Sequence, residues 1–342
     1  MKSLLSKGTK FPGILIVFLF LAFGSGCQKS SIETGDTLIS DSQSTQFISK
    51  ELSNFIVITK SETLPEGFEK QLSAYGEIIR SMPEIGEVVI KPKVSNFEAK
   101  VSKLSQVQAV VPDLQVKWIE PDKFFSEANP LSIGDDEPYF FFQWGMDAIN
   151  APEAWNAGYK GKNARVFILD SGIDSKHRDL APNLNKDLCI SFVKGEAYDD
   201  NAGENSYHGT HVAGIIAAAD NQYGVIGVSP EAEIVAVKVI SGKTGSGSFS
   251  QINDGILYAA NNGADVINMS LGATFARNGF YIENNILYKV PAVYIQNLIL
   301  AQQRAVDYAF RKGADIVTSA GNEGSNYDGN AFMNFYNSPP ES

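Results

Sequence analysis

Ser206-Tyr207-His208-Gly209-Thr210-His211-Val212-Ala213-Gly214 decides the fold. A histidine opens a run of small residues that reads as a helix over 209–219. Gly209, Ala213 and Gly214 give it a thin face for close packing. Upstream, Val166-Phe167-Ile168-Leu169 is a continuous apolar run, as expected of a strand buried on both faces, and Asp170-Ser171-Gly172-Ile173-Asp174 follows it. Downstream, a strand over 316–319 leads into Ala320-Gly321-Asn322-Glu323-Gly324.

The intervening residues keep the same rhythm. Strands are expected over 234–240 and 265–270. Helices are expected over 250–261, stopped by Asn262-Gly263, and over 297–312, stopped by Gly313. Strands alternating with helices of this length imply an α/β fold with a parallel sheet. In such sheets the reactive groups collect beyond the carboxyl ends of the strands, where Asp170, Ser270 and Asn322 fall.

The Asp-Ser-Gly-Ile-Asp, His-Gly-Thr-His-Val-Ala-Gly and Ala-Gly-Asn segments, in that order, resemble the subtilisin-type serine proteases. The resemblance covers about 53–342 and is most specific from 140 onward. It implies that Asp170 orients His208, that His208 is the general base, and that the Asn322 amide donates to the oxyanion. Ser270-Leu271-Gly272 resembles one substrate-binding edge and Gly245-Ser246-Gly247 the facing one. Phe249 would line a hydrophobic pocket between them, and an extended peptide would bind by strand addition. A zinc reading of His208 and His211 fails because Gly209-Thr210 stands where a zinc hydrolase places its Glu. The chemistry needs no cofactor. Asp179 and the loop 219–225, with Asn221, match positions where subtilases hold a structural calcium; Gln143 and Glu137 are candidates for a further ligand.

Two departures from the family pattern stand out. The aromatic segment 275–294, with Phe275, Phe280, Tyr281, Tyr288 and Tyr294, follows one substrate edge and is expected to overhang the groove. No Gly-Thr-Ser-Met-Ala-type motif occurs in the 342 residues. Ser325, Ser338 and Ser342 lie in polar, Pro-containing sequence. The expectation is a peptidase domain over 140–342 without its C-terminal part, inactive by itself. The alternative is a non-catalytic peptide-binding or protease-inhibitory protein.

The N-terminus reads as an export signal over 1–27. Lys2, Lys7 and Lys10 precede a short apolar core, and Gly24-Ser25-Gly26-Cys27 follows. It resembles a bacterial lipoprotein signal with Cys27 as the lipidated residue, which implies a membrane-anchored protein of the cell envelope; a simply secreted one is the alternative. Residues 28–52 are polar and read as a tether. Residues 53–122 read as a small α+β domain. Strands are expected at 55–59, 86–90 and 107–111, a helix over 66–75 ending at Gly76, and a helix over 97–104 capped by Asn96. Its position resembles that of the subtilase propeptide, which implies an intramolecular inhibitor, and 123–139 looks like the linker cut on maturation. Cys189 reads as a buried thiol. A net charge of −11 argues against a nucleic-acid partner; proteins or peptides as substrates are what the family resemblance implies.

Overall fold

The computed structural model describes residues 54–119, 135–276, 280–283, 286–322 and 332–334. The signal, the tether, Cys27 and most of the expected linker lie outside them.

The first described unit is a four-stranded antiparallel sheet. Its elements run β1 (Phe55–Thr59), α1 (Phe68–Leu72), β2 (Gly76–Met82), β3 (Glu87–Pro92), α2 (Phe97–Val101) and β4 (Val107–Pro112), with strand order β2-β3-β1-β4. This is a split βαβ arrangement. Period-two alternation gives the sheet two apolar faces. Val57, Val88, Ile90 and Val110 pack under Phe68, Leu72, Phe97 and Val101 of the two helices. Ile56, Ile58, Val89 and Val111 face the other way, into the core of the larger unit.

Several sequence expectations need correction here. The helix read over 66–75 is one short turn, and Gly76 opens a strand instead of stopping a helix. Asn96 is left-handed, with φ of 53°, and its side chain makes no cap bond. The helix after it is shorter than 97–104.

A short strand, β5 (Gln115–Lys117), leaves the small sheet. The larger unit continues with α3 (Trp144–Ala148), α4 (Ala151–Asn156), β6 (Arg165–Asp170), β7 (Ile190–Ser191), α5 (His208–Ala217), β8 (Glu233–Lys238), β9 (Ser246–Ser248) and α6 (Phe249–Asn261). Then come β10 (Val266–Met269), β11 (Thr274–Ala276), β12 (Phe280–Glu283), β13 (Ile286–Lys289), α7 (Ala292–Arg311), β14 (Asp315–Thr318) and β15 (Phe332–Asn334). Five strands form the expected parallel sheet, in the order β14-β10-β6-β8-β7. Ile168 and Ile234 pack with Val212, Ala213 and Ala217 of α5 on one face. Phe167, Leu169, Val235 and Val237 pack with α6 and α7 on the other.

The second apolar cluster continues through α6 and α7 into the small sheet, so one core joins the two. The start of α6 is held by a reciprocal cap: Gln251 N–H donates to Ser248 Oγ (3.2 Å) and Ser248 N–H to Gln251 Oε1 (2.7 Å). Asp113 adds to it, accepting from Ser250 N–H (3.2 Å) and Ser250 Oγ–H (2.6 Å). A carboxylate there also suits the positive end of the helix dipole.

Helix α7 begins earlier than expected, directly after Pro291, so Tyr294 belongs to it and not to an overhanging segment. Its hydroxyl donates to Glu98 (2.8 and 2.7 Å) of α2. Burial, then the Glu98 carboxylate, pushes this phenol above its ordinary value. The rest of 275–294 contributes β11, paired with β15, and a β12–β13 hairpin.

Candidate active site

Asp170 ends β6 and is fully buried, while the His208 side chain at the start of α5 is 15% exposed. His208 Nδ1 lies 2.8 Å from Asp170 Oδ1 and 2.9 Å from Oδ2. One imidazole nitrogen is therefore committed to a carboxylate inside the protein, and the ring still reaches the surface. Ser171 fixes the turn between them. Its N–H donates to Asp170 Oδ1 (2.6 Å), and its Oγ accepts from Gly209 N–H (3.1 Å) at the start of the helix. Gly209 is required for this approach. A Cβ there would stand 2.2 Å from the Gly172 carbonyl and 3.1 Å from the Asp170 carboxylate.

The sequence reading missed the layer beneath. Lys238 is fully buried at the end of β8, paired in register with Asp170. Its Nζ donates to the Ser171 carbonyl and lies 3.1 Å from Glu196 Oε2. Burial pulls Glu196 upward, but the Ser241 hydroxyl, the Gly242 N–H and Lys238 outweigh it and hold the carboxyl below its ordinary value. The signal for this pair is a lysine inside an otherwise apolar strand, which cannot be buried without a partner.

The two expected substrate edges flank a strand of the chain itself. β5 pairs antiparallel with β9, Val116 opposite Gly247. Trp118 and Ile119 N–H groups donate to the Gly245 carbonyl (2.9 and 3.3 Å), and Gly272 N–H donates to the Trp118 carbonyl (3.1 Å). Gly245, Gly247 and Gly272 are thus brought together around 116–119. Phe249 is fully buried, with its ring 5.0 Å from that of Trp118, edge to face. Leu271 is buried, and its carbonyl accepts from Ser319 Oγ (2.8 Å). Ser270 Oγ accepts from Asn268 Nδ2 (3.0 Å). Asn322 is exposed, just past the carboxyl end of β14, as the fold rule expects.

A second cluster lies around the loop 219–225. Asp179 is buried, and its Oδ2 accepts from Val225 N–H (3.3 Å); its Oδ1 lies 3.5 Å from Asn221 Nδ2. Glu137 is buried beside it, with Oε1 accepting from the N–H groups of Asn221 (2.5 Å) and Gln222 (2.7 Å). Its Oε2 is buried without a hydrogen-bond partner. Gly224, at φ of 69°, comes so close that a Cβ would stand 2.2 Å from Asp179 Oδ2. Gln143 is engaged with the backbone of Ile226 on both sides (2.8 and 3.0 Å), so its side chain is not turned to this cluster. Among the described residues no three His, Cys, Asp or Glu side chains converge as a metal site. Any ion here would need amide and main-chain oxygens beside the two carboxylates.

Cys189 is half-buried. Its Sγ accepts from Ala236 N–H (3.2 Å), and burial pushes the thiol up to about 11, which fits an inert packing role.

Comparison with known proteins bears on the family and the fold. Subtilisin E of Bacillus subtilis (strain 168) is 36% identical over 264 residues, which is 76% of this chain and 58% of that protein. Thermitase of Thermoactinomyces vulgaris is 36% identical over 192 residues, 56% of this chain and 58% of its own length. The chain thus spans less than two thirds of these relatives. The structure of the epidermin leader peptide processing serine protease of Staphylococcus aureus superposes with a TM-score of 0.59 at 22% identity, covering 79% of this chain and 60% of that one. Fervidolysin of Fervidobacterium pennivorans gives 0.57 at 23%, covering 79% and 40%. The model of the subtilase family matches residues 161–338, more than half of the sequence, and the chain belongs to that family.

Proposed function

We propose that this protein carries the base, the orienting acid and the oxyanion donor of a serine endopeptidase acting on extended peptides. The observation that carries the reading is the double contact of buried Asp170 with His208 Nδ1. Asp170 holds the imidazole so that Nε2 takes the proton of a serine hydroxyl and later returns it to the leaving amine. Asn322 donates to the oxyanion. No serine of the 342 residues is assigned as the nucleophile; Ser325, Ser338 and Ser342 lie outside the described residues.

Residues 54–119 act in this reading as an intramolecular inhibitor. Their last strand fills the groove that a substrate strand would use, bonded to Gly245 and Gly272. The same occupancy supports the rival reading of a peptide-binding protein without catalysis. Fluorophosphonate labelling of the protein isolated from its source separates them. Label on one serine, lost in His208→Ala, is the expected result; no label on that protein overturns the enzymatic reading.

Export of the protein, with Cys27 as a lipid anchor, rests on the sequence of the first 27 residues. Among the described residues no helix is long and apolar enough to cross a membrane.

Calcium is the metal that the second cluster fits. Its donors are oxygens, two of them buried carboxylates, and Glu137 Oε2 has no other use. Asp179, Glu137, Asn221 and the carbonyls of 219–225 would hold the ion, and its part would be to pin that loop. Calcium at 100 times its dissociation constant should stabilise the fold by about 2.7 kcal/mol, read as a rise in Tm. In Glu137→Gln that rise should be lost. An equal rise in the variant would remove Glu137 from the ligand set.

A further inference from the structure

The small sheet meets α6 and α7 across an apolar face, and the fully buried Glu87 carboxyl lies in that interface. Glu87 opens β3 and is fully buried, as is Asn253 of α6. Asn253 Nδ2 donates to Glu87 Oε2 at 3.3 Å. The two remaining oxygens of the pair, Glu87 Oε1 and Asn253 Oδ1, are both buried without a hydrogen-bond partner. An ionised carboxylate accepts only, so it leaves both oxygens unsatisfied. A neutral carboxyl carries a donor beside an acceptor, matching the acceptor and donor of a carboxamide. One proton then satisfies both orphans: Asn253 N–H to Oε2, and Glu87 Oε1–H to Asn253 Oδ1.

We propose that the docked small domain holds Glu87 as a neutral acid paired head to tail with Asn253, so that docking of residues 54–119 on α6 and α7 takes up a proton and weakens as pH rises.

The charged groups facing Glu87 do not replace that proton. Arg304 of α7 is engaged by the carbonyls of Thr59 (3.0 Å), Ser61 (3.2 Å) and Ile85 (3.3 Å), and by Gln108 Oε1 (2.9 Å). It reaches Glu87 only through space. Arg80 of β2 is paired with Asp254 of α6. Asp113, held by Ser250, has the same sign as Glu87, and burial raises it too. The outcome is set by burial, which pushes Glu87 up to about 8 against the pull of the Asn253 hydrogen bond and Arg304.

The sign follows from the two states. Undocked, Glu87 meets water and returns to its ordinary value near 4.5. Docking keeps its full strength below that value, loses up to tenfold per pH unit above it, and levels off beyond about 8. This linkage does not depend on the catalytic reading. If residues 54–119 inhibit the site, alkaline conditions favour their release.

Native-state hydrogen exchange of the intact chain tests it without any activity. The amides of Trp118 and Gly272 report docking, and that of Leu169 in β6 serves as the internal control. Their protection should fall about 300-fold relative to the control between pH 5 and 8. In Glu87→Gln, whose carboxamide always donates to Asn253, protection should stay within about threefold over that range. A flat wild-type profile overturns the proposal. An unchanged slope in the variant also overturns it and assigns the proton to Asp113. A second reading guards against misfolding of the variant: the carboxyl carbon of Glu87, followed by NMR in the unsubstituted chain, should titrate near 8. A midpoint in the ordinary carboxylate range would sink the idea.

Discussion

Asp170→Asn is expected to lower turnover of the proposed endopeptidase about 10⁴-fold, and His208→Ala about 10⁶-fold. The two losses differ because the residues do different work. Without His208 nothing takes the serine proton. Without the Asp170 carboxylate the ring remains, but in the wrong tautomer. Both oxygens of Asp170 lie within 2.9 Å of Nδ1, so a carboxylate there keeps the proton on Nδ1 and leaves Nε2 free to accept. A carboxamide can turn its NH2 toward Nδ1, and the proton then moves to Nε2. Nitrogen NMR of the 342-residue chain reads that exchange directly, whether or not the chain turns over substrate. Retention of turnover within tenfold in Asp170→Asn, or an unchanged tautomer, would remove Asp170 from the role proposed for it. The fold should survive the change, because Ser171 still ties the turn to α5 and Lys238 still holds the Ser171 carbonyl.

The centre of the parallel sheet was legible because β6 and β8 are buried along nearly their whole length and their interiors are unbroken apolar runs. Val166-Phe167-Ile168-Leu169 needs no partner to be recognised. The edge strand β2 is the opposite case. Between Gly76 and Met82 its residues are only half-buried or exposed, Ile79 is 47% exposed, and Ile78-Ile79 followed by Arg80-Ser81 breaks any period-two pattern, so no strand signal rises above that of a helix end. β5 carries even less. Gln115, Val116 and Lys117 are extended because β9 pairs with them from 129 to 133 positions along the chain, and no local pattern records such a partner.

The candidate site divides along the same line. Asp170, His208 and Asn322 sit in short segments with strong local grammar: a strand end, a helix start, a Gly-Asn turn. Glu87, Asn253 and Arg304 are single polar residues in separate elements, and their importance comes only from meeting in a buried interface. Lys238 lies between these cases, because a lysine in an apolar strand is a visible anomaly whose partner, Glu196, is not predictable from spacing.

Trp118→Ala is expected to open the groove to outside peptides. Trp118, beside buried Ile119, anchors the far end of the occupying strand among the described residues. It is 3% exposed, stacks edge to face on Phe249, and its indole N–H donates to the Gly247 carbonyl at 2.8 Å. Truncating a buried tryptophan costs about 3–5 kcal/mol, equivalent to a factor of roughly 10²–10³ or more in the closed population. That factor matters because a strand tethered in cis competes at an effective concentration in the millimolar range. A micromolar peptide cannot displace it from the unsubstituted chain, but can once the tether has lost two to three orders of magnitude. A fluorescent peptide with the sequence of residues 115–119 should therefore bind Trp118→Ala, by polarisation, and fail to bind the parent at the same concentration. Gln115→Ala supplies the control, since its Cα partner Ser248 is held through the backbone and the glutamine itself is exposed. Free binding to the parent would mean that the groove is open in solution. Equal exclusion by Trp118→Ala would mean that the backbone bonds to Gly245 and Gly272 hold the strand unaided, and the inhibitory contact would then lie in the main chain and not in the indole.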